Sequence, residues 1–454
     1  MAFLDETYLL ESKEAQKLYE QIKDLPIVDA HNHGDVKEII ENEGWDDIWE
    51  VEGETDHYVW EMMRRKGVPE EKITGNAPNK EKWKALAEIF PELAGNPTYE
   101  WIHLDLKRRF GIEKTISTHT ADVIWDKTRS MLKKEEMTPQ NLLREMNVKI
   151  MGTTDDPDSL LKYHKKARKE VEGVKILPTW RPDKAMNIDN RGWKNFVENL
   201  GNNYEIDTDK FSGFINALEK SHDYFEEMGC VASDHGILEP VAYPVSEKEI
   251  EKIYDKAINE KELTAKEIKD FKAYMFLKFA KMNEKSNWVT QIHIGAVRDY
   301  RDKLYEQLGP DSGGDIAVNN INIVDNLKYF FNQFDSSLDI VLYYLDPELE
   351  PSLTTIARAF PNVNLGAPWW FNDSPYGMEQ HLKYISTVDL LSNHAGMVTD
   401  SRKLMSYDSR TEVFRRVLSN VLGEMVKKGQ IPSGCAADIA SSISYYRPLK
   451  LFFQ

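Results

Sequence analysis

Short apolar segments recur along the chain, and each is followed by a polar stretch with helical spacing. The segments are rich in β-branched residues and nearly continuous in their hydrophobicity. Strands that are buried on both faces of a parallel sheet have this pattern. The eight segments are PIVDAHNH (26–33), VKIMGTTDD (148–156), VKILPTWRPD (174–183), GCVASDHG (229–236), WVTQIHIGAVRD (288–299), LDIVLYYLD (338–346), NVNLGAPWW (362–370) and GMVTDSR (396–402).

Amphipathic stretches join these segments, among them DPDSLLKYHKKARKEVEG and NNINIVDNLKYFFNQF. Each is long enough to be the crossover helix that two parallel strands require. Strand–helix units repeated in this way predict the α/β class and, within it, a TIM (β/α)8 barrel.

The spacing of the segments predicts where extra helices are inserted. The stretch between the first and second segments is rich in Trp, Lys and Glu and carries helix punctuation such as GVPEEK and TPQNLLREM, so we predict a large helical insertion after strand 1. Two more helices, broken near LTAKE, are predicted between the fourth and fifth segments, and a helical tail after the eighth. The predicted parts are an N-terminal helix with the first strand (1–34), the insertion (35–145) and the remaining barrel with its helical extension (146–454), all in one composite catalytic domain.

The chain is strongly acidic. Its formal net charge is −18, its pI is near 5.2, and no block of Lys and Arg interrupts the acidic sequence. The field of such a protein repels nucleic acid and anionic membranes, so we expect neither as a partner. A small anionic substrate remains compatible, because arginines inside a pocket act at short range while distant surface charge is screened by salt.

The cysteines and the N-terminus bear on the compartment. Cys230 and Cys435 are too few for a disulfide framework, which favours a reducing environment. The N-terminal MAFLDETYLLESKE is acidic where a signal peptide is basic and then apolar, and no segment approaches the roughly 20 apolar residues of a membrane span. We expect a cytoplasmic protein that forms a homo-oligomer.

Two histidines stand one residue apart at the end of the first segment, in DAHNH. On a strand, His31 and His33 leave the same face about 7 Å apart, a span that two imidazoles can close around one cation. Asp400 ends the eighth segment and lies beside them if strand eight closes against strand one. These residues predict a site for one divalent metal ion. The alternatives are two ordinary loop histidines and an aspartate that caps a helix.

Arginines at other strand ends suit an anionic substrate. Arg181, Arg298 and Arg402 can capture a carboxylate in bidentate fashion, although any one of them can equally belong to an ion pair. Trp369 and Trp370 offer an apolar wall against a sugar ring, with plain core packing as the alternative.

The remaining strand-end residues leave several roles open. His293 can ligate a metal, bind substrate or lie in the core. Asp234 and His235 form either a proton-handling dyad or an ordinary turn. No strand-end lysine is placed for a bridging carbamate or a Schiff base, and no GxxxxGK[ST], GxGxxG or GxSxG motif occurs where nucleotide or acyl-transfer chemistry needs it.

Taken together, the motifs resemble the uronate isomerase (glucuronate isomerase) family of the amidohydrolase superfamily, from about residue 26 to residue 430. The matching stretches are DAHNH, TDHYVWEMMRRKGV, PTWRPDKAMNID, ASDHG, QIHIGAVRD, GPDSGGD, APWWFNDSPYGM and TDSRKLMSYDSRTEVFRRVL. Ala30 and Gly34 depart from the bulkier residues common beside the histidine pair, which leaves ligation intact but alters the edge of the pocket.

This resemblance implies reversible aldose–ketose isomerisation of hexuronates, D-glucuronate to D-fructuronate and D-galacturonate to D-tagaturonate. It implies that His31, His33 and Asp400 hold a divalent ion, zinc by expectation, at one site. Tyr58 and Arg402 match residues around the reacting C1–C2 end. The pocket positions expected to bind substrate are Arg181, Asp183, Asp234, His235, His293, Arg298 and Trp370.

The chemistry that we expect is proton transfer through an enediolate, with Asp400 as the base and Tyr58, Arg402 and His33 assisting catalysis. A hydride shift between C1 and C2 is the alternative mechanism. The alternative functions are a metal-dependent amidohydrolase acting on a small anionic substrate, and a sugar-acid-binding protein without catalysis.

Overall fold

A strand forms in each of the first seven apolar segments, and β4 (Ala232–Ile237) runs one residue past the end of its segment. The computed structural model describes residues 3–453. Two further short strands, β6 and β7, make an antiparallel pair that the pattern did not predict. The strands are β1 (Ile27–Asp29), β2 (Val148–Gly152), β3 (Lys175–Leu177), β4 (Ala232–Ile237), β5 (Val289–Ile294), β6 (Ala296–Val297), β7 (Ile316–Ala317), β8 (Ile340–Tyr344) and β9 (Val363–Leu365).

The seven main strands pair in parallel, which confirms the α/β class. Strands β1, β2 and β3 form one sheet, and β4, β5, β8 and β9 form another, each in that order. Trp180 joins the two sheets, because its N–H donates to the Ala232 carbonyl at 3.2 Å and its carbonyl accepts from the Asp234 N–H at 3.0 Å. Every residue of β5 and β8 is buried, as their continuous hydrophobicity predicts.

The eighth segment, 396–402, forms no strand, so the strand prediction there is wrong. Positive φ values at Gly396 (99°) and Asp400 (50°) break the extended backbone that a strand needs. The segment nevertheless runs beside β1, where the Asp400 N–H donates to the His31 carbonyl at 3.1 Å. Next to β9, the Ala395 N–H donates to the Leu365 carbonyl at 2.9 Å.

Helices occupy most of the connections. The α-helices are α1 (Lys13–Ile22), α2 (Val36–Glu41), α3 (Ile48–Glu52), α4 (His57–Arg65), α5 (Asn79–Ile89), α6 (Pro97–Phe110), α7 (Ala121–Leu132), α8 (Pro139–Glu145), α9 (Lys162–Glu170), α10 (Asp183–Met186), α11 (Trp193–Tyr204), α12 (Phe211–Glu227), α13 (Glu247–Ile258), α14 (Ala265–Ser286), α15 (Asp302–Leu308), α16 (Ile323–Gln333), α17 (Glu350–Ala359), α18 (Pro375–Val388), α19 (Ser406–Lys427), α20 (Ser433–Ser441) and α21 (Arg447–Phe453).

Single turns of other helix types complete the secondary structure. A π-helical turn, 442–446, joins α20 to α21. The 3₁₀ turns are Glu70–Lys72, Phe90–Leu93, Glu135–Met137, Pro347–Leu349, Trp370–Asn372 and Leu391–Asn393. No helix among residues 3–453 combines the length and the apolar character that a membrane-crossing segment needs.

The stretch between β1 and β2 is helical from α2 to α8 and packs against the first sheet. Its apolar residues form one core cluster with Met151 of β2 and Ile176 of β3. Within it, Asp56 caps α4 by accepting a hydrogen bond from the Tyr58 N–H at 2.8 Å. The cap fixes the start of a helix that faces the carboxyl ends of the strands.

The other predicted helical extensions are present. Helices α13 and α14 fill the connection between β4 and β5, and the chain breaks before Thr264, which forms a capping box with Glu267. Helix α19 follows the eighth segment and is buried along most of its length against α1, α6 and α18. The division at 1–34, 35–145 and 146–454 stays a prediction, and its outermost residues 1, 2 and 454 lie outside the described part of the chain.

Candidate active site

A cavity of about 320 Å3 opens at the carboxyl ends of the strands. Parallel β–α folds place their functional groups at this edge. Nine of the predicted site residues line the cavity, together with Trp369, which is predicted as an apolar wall, and five residues that have no predicted role. The lining residues are His31, His33, His57, Thr154, Asp156, Arg181, Asp183, Lys184, His293, Arg298, Asp311, Trp369, Trp370, Asp400 and Arg402.

His31, His33 and Asp400 come together on the cavity floor. The Nε2 atom of His31 lies 3.1 Å from Asp400 Oδ1, and the Nε2 atom of His33 lies 3.2 Å from the same oxygen. The other carboxylate oxygen of Asp400 accepts a hydrogen bond from Trp369 Nε1 at 2.9 Å. Both histidines therefore converge on one carboxylate, although Asp400 lies 369 residues away from His31 in the chain.

The electrostatics of this group are set by its burial and by its charges. Burial raises the pKa of Asp400, but hydrogen bonds from His31 and His33 outweigh it and hold that pKa well below its ordinary value. Burial lowers the pKa of His31, yet the Asp234 and Asp400 carboxylates raise it above the ordinary value. The pKa of His33 is lowered, because the loss of solvent around its ring exceeds the attraction of Asp400.

The three residues form a candidate metal-binding cluster. One donor atom from each lies within 4.8 Å of the others. A tetrahedral ion with ligands at 2.0–2.1 Å sets its donor atoms about 3.3 Å apart, close to the two nitrogen–oxygen distances found here. Two imidazoles and a carboxylate are a donor set that divalent metal ions accept, and three protein ligands leave a coordination position for substrate. The residues present therefore fit a divalent ion.

Asp234 lies beneath this floor as a fully buried anion. Its carboxylate is 2.9 Å from Arg181 Nη1, 2.6 Å from His293 Nδ1 and 3.7 Å from His31 Nδ1. Burial raises its pKa, but Arg181 and the two histidines outweigh this and hold the pKa well below the ordinary value. His31, His293 and Asp234 form a second group with metal-ligand spacing, but Arg181 already neutralises the carboxylate. Asp234 does not line the cavity, so it reaches substrate only through its neighbours.

His235 points away from the cavity, so the expectation that it contacts substrate is not met. Strand β4 continues to Ile237, and successive side chains of a strand point to opposite faces. The His235 ring packs against Phe276 and Phe279 of α14, and its Nε2 lies 2.8 Å from Ser233 Oγ. Burial lowers the pKa of His235 to about 4.

Tyr58 stands behind the wall of the cavity. Its ring packs on His57 and Trp101, and the Arg410 guanidinium lies 5.2 Å from the ring centre. The hydroxyl is buried and has no hydrogen-bond partner within the described chain. Burial raises the pKa of Tyr58 well above its ordinary value, so the phenol is neutral. Tyr58 is not among the residues that line the cavity.

The three predicted arginines all line the cavity, but they differ in their ion pairs and in their exposure. Arg181 is committed to Asp183 at 2.8 Å and to Asp234 at 2.9 Å. Arg298 lies at the mouth, 40% exposed in its side chain, with Nη1 3.6 Å from Asp315 Oδ2 and its guanidinium 4.5 Å from the Trp370 ring centre. The Arg402 side chain has no hydrogen bond or ion pair to any residue from 3 to 453, so its charge is available to a ligand.

Five lining residues have no role predicted from the sequence: His57, Thr154, Asp156, Lys184 and Asp311. For Trp369 the sequence predicts only an apolar wall beside Trp370. His57 comes from α4, and burial lowers its pKa to about 4 despite the nearby Asp56 carboxylate. The sequence signal for His57 was its position next to Tyr58 in the TDHYVW motif. Only the packing of α4 brings His57 to the cavity.

Two lining residues have strained backbones. Asp400 and Trp370 both have φ of 50°, in the left-handed region that non-glycine residues rarely adopt. Such conformations cost on the order of 1 kcal/mol or more and cluster at functional sites. Here they turn the Asp400 carboxylate towards the histidines and start the 3₁₀ turn that carries the Trp370 ring.

Known proteins resemble the chain over its whole length. The family model described as Glucuronate isomerase matches residues 1–452. The uronate isomerase of Thermotoga maritima is 61% identical over 451 residues, which cover 99% of this chain and 100% of the relative. A crystal structure of uronate isomerase from that organism superposes with a TM-score of 0.98 at 61% identity and covers 100% of both chains. A crystal structure of glucuronate isomerase from Caulobacter crescentus has a TM-score of 0.95 at 25% identity and covers 99% of this chain and 96% of that one.

These similarities decide between the functions that the sequence left open. The matches extend along the entire chain and include relatives more than 30% identical, so the resemblance seen in the motifs is confirmed. The relatives are isomerases, and the amidohydrolase alternative is not favoured. The chain belongs to the glucuronate isomerase family of enzymes.

Proposed function

We propose that the protein interconverts D-glucuronate with D-fructuronate and D-galacturonate with D-tagaturonate by proton transfer between C2 and C1. The observation that carries this proposal is the convergence of two histidines and an ionised aspartate on the floor of a cavity lined by arginines. A hexuronate needs both features, an acid–base group at its aldehyde end and cationic groups for its carboxylate.

We propose that His31, His33 and Asp400 hold one divalent ion, with zinc as the expected metal. Support comes from the donor set and from the spacing of its atoms. When bound, the ion supplies positive charge to the oxygen atoms of C1 and C2. Asp234 would orient His31 from behind, as carboxylates commonly do for ligating histidines.

Asp400 is the proposed base. Its depressed pKa keeps it ionised at neutral pH, so it can accept the C2 proton, exchange it with solvent and deliver a proton to C1. The resulting enediolate carries negative charge on oxygen, which fixed positive groups stabilise. Arg402 is placed for this, because its side chain lines the cavity and no residue between 3 and 453 pairs with it. Tyr58 is a neutral donor with a free hydroxyl, and it would assist once substrate binding lets that group reach the cavity.

The rest of the cavity would hold the sugar acid. Arg181 and Arg298 provide positive charge for the carboxylate, and Trp370 provides an apolar face for the carbon chain. Asp183 and His293 offer hydrogen bonds to hydroxyl groups. Burial lowers the pKa of His293 to about 4, so its ring is neutral and one nitrogen accepts a hydrogen bond.

We further infer that the strands and the eighth segment close into a (β/α)8 barrel. Support comes from hydrogen bonds on both sides of that segment, to β9 through Ala395 and to β1 through Asp400. Thr399 adds to them, since its hydroxyl donates to Asp29 Oδ2 at 2.6 Å. A cytoplasmic location and a homo-oligomeric state are also proposed. The free thiols of Cys230 and Cys435 agree with a reducing compartment.

The test is an isomerisation assay with both hexuronates in deuterated water. Exchange of the transferred proton labels the product carbon, whereas a hydride shift leaves it unlabelled. Treatment with a chelator should abolish turnover, and added zinc should restore it. Deuterium in the product would exclude the hydride shift, whereas sugars that stay unlabelled through many reversible turnovers would refute proton transfer through an exchangeable enediolate. Full turnover after complete removal of metal would refute the role of the ion.

The Asp400→Asn variant tests the base. We expect a loss of turnover of at least about 10²-fold, the usual contribution of a general base. Asp346→Asn is the matched control, because Asp346, like Asp400, comes at the end of an apolar segment, but it caps the following turn, a task that Asn performs equally well. Equal turnover in the two variants would refute the assignment of Asp400.

A further inference from the structure

The GPDSGGD loop, residues 309–315, is fastened to α4 by two hydrogen bonds that the proposed chemistry does not use. Arg64 Nη1 donates to the Ser312 carbonyl at 2.5 Å, and Glu61 Oε1 accepts from the Gly314 N–H at 2.5 Å. These contacts join parts of the chain about 250 residues apart, separated by 248 and 253 positions. The two hydrogen bonds join α4, the helix that carries His57, to the loop between α15 and β7.

Arg64 is itself held rigidly. Its Nε and Nη2 atoms donate to the two carboxylate oxygens of Glu70 at 2.8 and 2.7 Å, and its side chain is only 6% exposed. A bidentate pair of this kind fixes the guanidinium plane and leaves Nη1 to donate to the Ser312 carbonyl. Glu61 is half-buried, and the loss of solvent raises its pKa.

The loop is shaped for this close approach. Gly313 has φ of 91°, and a Cβ atom there would lie 2.8 Å from Glu61 Oε1 and 3.1 Å from Arg64 Nη1. Only glycine fits both the backbone angle and the space. The GG pair of the GPDSGGD motif therefore places the loop directly against the two side chains of α4.

The fastened loop supports Arg298 at the mouth of the cavity. Asp315 directly follows the bonded Gly314 and is buried; its Oδ1 accepts from the Asp299 N–H at 2.6 Å. Its Oδ2 lies 3.6 Å from Arg298 Nη1, and the guanidinium lies over Trp370. An exposed arginine with one long ion pair is weakly held on its own. The position of Asp315, and hence the contacts of α4, therefore helps to set where the Arg298 charge lies, together with the Trp370 ring.

We propose that Glu61 and Arg64 are positioning residues that act through the GPDSGGD loop to hold Arg298 against the carboxylate of the substrate. The inference rests on the proposed function, in which Arg298 contacts that carboxylate. Neither Glu61 nor Arg64 lines the cavity, so any effect on substrate binding is indirect. The hydrogen bonds that they make outside α4 join Arg64 to Glu70 and both residues to the loop.

The test compares Glu61→Met and Arg64→Met with Arg65→Met. Arg65 is the adjacent residue of α4, is exposed and has no ion pair within residues 3–453, so it controls for the loss of charge. We expect both test variants to raise KM about tenfold, the order of one charged hydrogen bond, with kcat changed less than about twofold. Glu61→Gln keeps an oxygen acceptor for Gly314 and should retain the KM of the unaltered protein.

Inhibitors separate positioning from general damage. L-gulonate keeps the carboxylate of the substrate, and D-glucitol does not. We expect the test variants to weaken inhibition by L-gulonate about tenfold and to leave D-glucitol unchanged. Equal weakening of both inhibitors, or no difference from Arg65→Met, would overturn the inference. Glu61→Met removes only a carboxylate that burial already disfavours, so it provides a folded variant even if Arg64→Met fails to fold.

Arg298→Gln distinguishes this inference from the proposed function. If Arg298→Gln leaves KM and L-gulonate inhibition unchanged, the proposed contact between Arg298 and substrate is wrong, and the inference fails with it. If Arg298→Gln weakens both while Glu61→Met does not, only the positioning role is overturned.

Discussion

Buried histidines of this protein have opposite electrostatic surroundings. At His31 the anions Asp234 and Asp400 outweigh the cost of burial, and the pKa is raised. At His103 of α6, burial outweighs the hydrogen bond to the Tyr99 carbonyl and lowers the pKa to about 4. The carboxylates favour the charged form of the His31 ring, whereas burial keeps the His103 ring neutral.

The hydrogen bonds of His103 require this neutral form. Its Nδ1 lies 2.8 Å from the Tyr99 carbonyl, which can only accept, so Nδ1 carries the hydrogen. Its Nε2 accepts from the Ile116 N–H at 2.9 Å, so Nε2 carries a lone pair. Protonation of Nε2 would set two donors against each other.

We therefore predict that His103 makes the protein less stable in acid. Its folded pKa of about 4 lies below the unfolded value of about 6.5, so its stabilising effect is complete above pH 6.5 and is lost as the pH falls towards 4. The full loss is about 3 kcal/mol of unfolding free energy. Urea unfolding at several pH values, compared with His103→Gln, measures it. The variant should start less stable at pH 7 but lose less stability on acidification, and equal losses would contradict the prediction.

At the scale of residues, the sequence could predict which side chains form the floor of the site, but not which side chains lie beneath that floor and outside the cavity. The i, i+2 spacing of His31 and His33 puts both on one face of β1, so their convergence followed from the chain alone. The same alternation separates Asp234 from His235, because β4 stays extended through both and no loop relaxes their directions. Sequence could not show that Arg181 and His293 would cover Asp234 and leave it out of the cavity.

At the scale of elements, a buried lysine connects the eighth segment to the helices between β1 and β2. Lys403 Nζ lies 3.0 Å from Glu52 Oε2 at the end of α3 and 2.9 Å from Asp56 Oδ2 at the start of α4. All three side chains are nearly inaccessible to solvent. The ion pairs therefore hold the start of α4, which carries His57 and Tyr58, next to Lys403 and its neighbour Arg402.

We predict that Lys403→Met destabilises the protein by about 3–5 kcal/mol, because it leaves two buried carboxylates without a counter-charge. Adding Glu52→Gln should recover part of this loss. Lys37→Met is the control, since Lys37 pairs with Glu41 across 3.7 Å on the surface, and it should cost less than about 1 kcal/mol. Denaturant unfolding measures all three variants, and a similar small cost for Lys403 and Lys37 would contradict the importance of the buried pair.

Elements with a strong local pattern were predicted, and those fixed by distant contacts were not. The helices α13 and α14 and the break between them follow from hydrophobic period and from the capping box at Thr264. The eighth segment has the composition of a strand, but the left-handed backbone of Asp400 depends on its contacts with β1, which no local pattern encodes. For the same reason the approach of α4 to the cavity could not be read from the TDHYVW motif.

The molecule as a whole depends on the junction between its first strand and the eighth segment. The His33 N–H donates to the Ser401 carbonyl at 3.0 Å and the Asp400 N–H to the His31 carbonyl at 3.1 Å, so bonds run in both directions across it. This junction brings together residues from opposite ends of the chain and forms the floor of the cavity. An open junction would separate the two histidines from Asp400.

We predict that the amide groups of this junction exchange with solvent slowly, at rates similar to those expected for β1 and β9. Hydrogen bonds that open only with the whole fold give amides the protection of global unfolding, whereas an open sheet edge exchanges by local fluctuation. Native-state hydrogen exchange followed by mass spectrometry of peptides covering 31–33 and 399–402 measures this, with the exposed connection at 259–262 as the fast reference. If the junction amides exchange as fast as the reference amides, the proposed barrel does not close in solution, and the proposed metal site lacks a stable floor.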